Sequence, residues 1–141
     1  MTTAGPSPVR TDHGRRWRAE TPAIVAHAAS LLAGFVVLLY ANRGQWFWGD
    51  EWAFLGHRGL RHADLSLWVP HSEHWSTGTI QIYRGLYTVF GVRTYIPYIV
   101  VLLLIHLAVA HLLWQVMRQA GIDLAVATGL AAIYVLLGAG Y

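Results

Sequence analysis

Residues 94–117 read TYIPYIVVLLLIHLAVAHLLWQVM, a run of 24 positions without Asp, Glu, Lys or Arg. An α-helix rises about 1.5 Å per residue, so about 20 apolar residues cross a hydrocarbon core about 30 Å thick. This run is long enough. Two windows of the same kind flank it, residues 22–41 with 20 positions and residues 124–141 with 18. Charged residues are 12% of the 141-residue chain, against about 25% in soluble domains, and the deficit is concentrated in these windows. The expectation is an all-α membrane protein with three transmembrane helices and one large outer loop, residues 42–93. The third window ends where the chain ends. A lone bundle of three apolar helices leaves most of its surface to lipid. The sequence is therefore expected to be the N-terminal piece of a longer polytopic protein, with further transmembrane helices as partners.

The flanks set the orientation. Residues 1–21 are polar, rich in Pro, Gly and Thr, and carry Arg10, Arg15, Arg16 and Arg18. They read as a disordered cytoplasmic tail, and their charge puts the N-terminus inside. A secretory signal is the rival for residues 1–41, but the apolar run exceeds the usual about 7–15 residues and ends in Leu39, Tyr40 and Ala41 without a small-x-small site. Residues 42–93 then face outward. Residues 118–123, headed by Arg118, form a cytoplasmic turn. The loop's own five Arg and four acids blur this charge asymmetry. The expected place is the plasma membrane, multi-pass. All ten basic residues are Arg and the net charge is +3. Because these Arg sit beside apolar segments, lipid headgroup contact explains them better than nucleic acid, which is not an expected partner. The chain has no Cys, so disulfides and thiolate metal sites are excluded. The spans hold no Asp, Glu or Arg to build a translocation path.

The outer loop has 52 residues and five of the seven Trp. Loops of this length are often functional. Near 50–60, Trp48, Trp52 and Leu55 recur at spacings of four and three. Near 78–90, Ile80, Tyr83, Leu86, Tyr87 and Phe90 make one apolar stripe. Both suit short helices lying in the membrane interface, apolar side down. Trp46, Phe47, Trp48, Trp52 and Trp75 then serve as interfacial anchors or as a shelf that stacks on sugar rings.

Two clusters carry chemistry. Asp50 and Glu51 are adjacent, about 100° apart on a helix. One can face a cleft as a proton acceptor while the other binds a partner or cation; alternatively both complement the helix dipole. His71, Glu73 and His74 lie within four residues. With Asp50 or Glu51 they offer ligands for Zn²⁺ or Mn²⁺, or else are solvated loop groups. His27, His106 and His111 fall within spans. His106 and His111 are about 140° apart around the helix, so helix–helix hydrogen bonds suit them better than haem ligation.

The order of these features resembles the GT-C glycosyltransferases, in particular the protein O-mannosyltransferase-like and lipid A aminoarabinose transferase-like families. Trp48-Gly49-Asp50-Glu51-Trp52-Ala53-Phe54-Leu55 is similar to their acidic motif in the first external loop. Pro70-His71-Ser72-Glu73-His74-Trp75 occupies the place of their His-Pro-Pro-Leu segment, and Leu86-Tyr87-Thr88-Val89-Phe90-Gly91 that of the helix ending Phe-Gly. The likeness covers residues 22–117, and Ser72-Glu73 replaces the family's two prolines. Asp-Glu-Trp followed by His-x-Glu-His-Trp is also similar to actinobacterial integral membrane proteins. The resemblance implies transfer of a sugar from a polyprenyl-phosphate donor to an extracytoplasmic acceptor hydroxyl, with inversion. It implies Asp50 as base, Glu51 as its support or a donor ligand, and Glu73 and His74 orienting the acceptor or a metal. Trp52 and Trp75 would contact donor or acceptor, and Arg58 or Arg84 would pair the carrier phosphate. The competing expectation is a non-catalytic membrane protein, or an inactive fragment, whose loop binds a partner.

Overall fold

The computed structural model of the chain describes residues 13–56, 70 and 73–137, with residues 13–19 described by backbone alone. Among them the regular elements are helices: α1 His13–Asn42, α2 Asp50–Gly56, α3 Thr77–Phe90, α4 Ile96–Gln119 and α5 Leu124–Leu137. Two helices are long and apolar enough to cross a membrane, α4 and the Glu20–Asn42 part of α1. The third expected span corresponds to α5, whose 14 described residues are apolar but fall short of that length. Within the most apolar windows of the two long helices only 17% and 22% of residues are buried in the chain. The core helix of a soluble protein is mostly buried. Here Leu32, Val36, Leu104, Ile105, Leu112 and Val116 are instead exposed. Apolar surface left in water costs about 25 cal/mol per Å², so these faces call for an apolar medium or further apolar partners.

Boundaries differ from the expected ones in three places. Helix α1 begins at His13, so residues 13–21, read from sequence as disordered tail, belong to it. Pro22 sits inside it and offers no N–H to the carbonyl one turn earlier. Helix α2 ends at Gly56, and residues 57–60 of the first expected interfacial helix lie outside the described residues. Helix α3 matches the second expected interfacial helix to within one residue.

Contacts among the described residues fall into two units, divided at Gly34 and again at Leu107. In the first unit, Trp114 of α4 packs with Ala127 and Ala131 of α5, joined by Ile24, Met117 and Leu124. The Trp114 indole N–H donates to Thr128 Oγ1 at 3.1 Å. The α4–α5 corner is closed by a Schellman arrangement: Ile122 N–H reaches Met117 O and Gly121 N–H reaches Arg118 O, both at 3.1 Å, with Gly121 at φ 78°. Asp123 then caps α5, its Oδ1 accepting from Ala125 and Val126 N–H at 3.0 and 3.2 Å.

The second unit is an aromatic core. Phe47, from the connection after α1, meets Tyr95 and Tyr98 edge-on with ring centroids 4.8 Å apart in each case. Tyr98, Ile80 and Tyr83 are buried. The stripe on α3 therefore divides: Ile80 and Tyr83 face protein, Leu86 is half-buried, and Tyr87 and Phe90 stay exposed. Helix α3 ends on Gly91 at φ 62°, ψ −154°, with its N–H on Tyr87 O and its carbonyl accepting from Tyr98 Oη at 3.0 Å. That backbone region is essentially closed to residues with a Cβ. Gly91→Ala is expected to destabilise this unit by about 1–3 kcal/mol, read as an earlier unfolding midpoint in detergent micelles. An unchanged midpoint would show that the corner relaxes freely.

Candidate functional site

The site forms where the chain leaves α1 and turns into α2. Gly49, at φ 53°, makes the turn, and Glu51 N–H and Trp52 N–H bond back to Trp48 O and Gly49 O at 3.2 Å each. Glu51 Oε2 accepts the Trp48 N–H at 2.8 Å, the returning half of a capping box that satisfies a donor the short helix leaves open. Asp50 and Glu51 both sit in the first turn, where a negative charge suits the helix dipole.

From there the two acids part. Asp50 is exposed. Glu51 turns inward, and its Oε1 accepts from two phenols, Tyr83 Oη of α3 at 2.7 Å and Tyr95 Oη at the entrance to α4. The two phenol oxygens lie 3.0 Å apart over that one carboxylate oxygen. One side chain thus ties three segments: the α2 cap, α3 and the start of α4. Around it Phe54 packs edge-on to Tyr83 at 5.9 Å, and Arg84 Nε donates to Phe54 O at 3.2 Å. Arg84 Nη1 is buried without a hydrogen-bond partner.

The phenol of Tyr83 is pushed well above its ordinary value, first by burial, then by the Tyr95 hydroxyl and the Glu51 carboxylate. The folded chain therefore keeps a proton that the unfolded chain gives up near pH about 10. The stability this contributes is intact below that pH and is lost as pH rises through the folded value. In an absorbance titration at the phenolate band, Tyr83 is expected to ionise only with loss of structure, and Tyr83→Phe should remove that late step. A late step that survives in Tyr83→Phe would assign it elsewhere.

Other expected site residues are placed as follows. Trp52 is half-exposed, its indole N–H donating to Phe47 O at 3.3 Å. Trp46, Trp48 and Trp75 are exposed, Trp48 by 86%. Glu73 and His74 are exposed, and Glu73 holds φ 71°, a left-handed conformation that non-glycine residues rarely adopt. Arg58 and His71 lie outside the described residues. Among the described residues no group of three or more His, Asp or Glu is placed to hold a metal ion.

Tyr83 and Tyr95 are the site residues that sequence reasoning missed. By pattern alone Tyr83 falls in an apolar stripe and Tyr95 in a span. The available signal was that both are tyrosines, with a polar tip that seeks a partner when buried. No family model, curated protein or solved structure matches the chain.

Proposed function

We propose that the chain is the N-terminal part of a polytopic membrane glycosyltransferase that moves a sugar from a polyprenyl-phosphate carrier to an extracytoplasmic acceptor hydroxyl. The observation that supports this reading best is the division of labour in the acid pair. Glu51 is engaged by Tyr83, Tyr95 and the Trp48 N–H, while Asp50 beside it is exposed. A fixed neighbour and an exposed carboxylate are what a positioned general base requires. Asp50 takes the proton of the acceptor hydroxyl as that oxygen attacks the anomeric carbon. The bond to the carrier phosphate breaks on the opposite face, which inverts the sugar. The exposed Trp48, Trp52 and Trp75 offer faces for sugar or polyprenyl groups, and the half-buried Arg84 offers its charge to phosphate. Arg58, Glu73 and His74 complete the proposed binding set, and a divalent metal held by His71, Glu73 and His74 is an optional part of it.

In this reading residues 124–141 make a third span and the N-terminus lies in the cytoplasm, in the plasma membrane. The test is transfer of label from a radiolabelled polyprenyl-phosphate hexose in membranes holding the full gene product. Transfer that Asp50→Asn removes supports the proposal, and transfer indifferent to Asp50→Asn overturns the catalytic assignment. A second reading, a loop that only packs or binds a partner, is favoured by the structural engagement of Glu51. Absence of transfer in every membrane tested would select it.

A further inference from the structure

In the first unit, α1 and α4 are joined by two histidines rather than by apolar side chains alone. His27 is 3% exposed, and its Nε2 lies 3.1 Å from His111 Nδ1. His111 Nε2 in turn lies 2.7 Å from Gln115 Nε2. The His27 ring stacks on Trp114, centroids 4.3 Å apart and planes within 5°. His27 Nδ1 is buried without a hydrogen-bond partner. The transferase reading uses none of these groups.

The chemistry of the contact limits its protonation. A hydrogen bond between two imidazole nitrogens needs one donor and one acceptor. Neutral rings satisfy it in a suitable pair of tautomers. One added proton also satisfies it, since an imidazolium donates to a neutral ring. Two added protons do not: all four ring nitrogens become donors, and N–H faces N–H at 3.1 Å with two like charges in a poorly solvated place. Among the described residues the surroundings give no spare anion. On α1 the acid of this unit is Glu20, already paired with Arg118 Nη2 at 3.0 Å. On α4 the cation is Arg118, which also lies over the Trp114 ring at 4.6 Å. Described α5 holds no Asp, Glu, Arg or His; its titratable side chain is Tyr134, and Asp123 before it caps the helix through Oδ1. Gln115, which contacts His111, lines an open cleft of about 390 Å³ with Trp114, Arg118 and Gln119.

We infer that His27 and His111 form a single-proton clasp between α1 and α4, which holds while the pair carries at most one added proton and releases when it takes a second. The ligand of this site is the proton itself. Release frees the Trp114 face from its imidazole partner and leaves α1 held to α4 in this unit chiefly by Glu20–Arg118 and by the packing of Ile24.

The test uses the intact chain in lipid nanodiscs, with nitrogen-labelled histidine and fluorinated tryptophan. Spectra are followed as pH falls. The expected result is a coupling between one nitrogen of His27 and one of His111 that persists through the uptake of one proton per pair. On the second uptake the coupling disappears and the Trp114 fluorine signal moves in the same step. His111→Asn should leave His27 titrating alone with no step at Trp114. Two rings that protonate independently, or a Trp114 signal that stays still while both become charged, would overturn the clasp. The wild-type titration alone decides if the variant fails to fold.

Discussion

If the proposed transferase reading holds, Asp50→Asn should lower sugar transfer by about 10²–10⁴-fold, the usual share of a positioned general base, while insertion and helix content stay as they are. Asparagine keeps the size and the exposed position of Asp50 at the start of α2. It replaces the basic carboxylate that would take the hydroxyl proton with a non-basic amide. The comparison that gives this result meaning is Glu51→Gln in the same membranes. If Asp50 handles the proton and Glu51 only places it, the two variants differ in kind. Asp50→Asn loses rate across the accessible pH range. Glu51→Gln keeps a measurable rate and shifts with the stability of the α2 cap. Equal losses in both would mean that the pair acts as one unit, and an Asp50→Asn enzyme near wild-type rate would end the assignment.

The second large effect is on the fold. Glu51→Ala should destabilise the unit around α2 and α3 by about 2–3 kcal/mol, because it removes the charged acceptor of the Tyr83 and Tyr95 hydroxyls, which then have only each other, and returns the exposed Trp48 N–H to water. A hydrogen bond to a charged group contributes about 1.5–3 kcal/mol, and a buried donor left without an acceptor costs about 1–3 kcal/mol. The full sum is not expected, since Glu51 is half-buried and water can reach part of the gap. Glu51→Gln should cost about 1–2 kcal/mol, retaining an acceptor for the phenols but setting an N–H against the Trp48 N–H. Denaturant unfolding in micelles, followed by the near-ultraviolet signal of the aromatic core, measures both. A Glu51→Ala loss below about 0.5 kcal/mol would show that the carboxylate is not a structural tie.

The long helices were legible because membrane length and absence of charge leave a direct trace in residues 22–41 and 94–117. Helix α3 was legible through its stripe, and α5 through its first residues. The start of α1 was not, since Arg15, Arg16 and Arg18 give no periodic apolar signal and the helix simply continues outward from its apolar part. At the site, local spacing revealed the acid pair but not which acid turns inward. That choice depends on Tyr83 and Tyr95, which lie 32 and 44 positions away along the chain. A stripe pattern counts tyrosine as apolar and cannot tell a ring resting on lipid from one whose hydroxyl meets a half-buried carboxylate. The His27–His111 bond is half-legible: a histidine inside an apolar span suits helix–helix bonding, but nothing local pairs these two across 84 positions.

The corner between α3 and α4 has a mechanical side. Gly91 holds a backbone conformation open essentially to glycine alone, and its carbonyl is fastened to the Tyr98 hydroxyl in the first turn of α4. Tyr98 is itself clamped between Phe47 and Tyr95. Such an elbow transmits torque and does not absorb it. Any tilt imposed on α3 by something seated on its exposed face becomes a tilt of the first turn of α4. Spin labels on those two helices would therefore move in step, like two arms of one bracket.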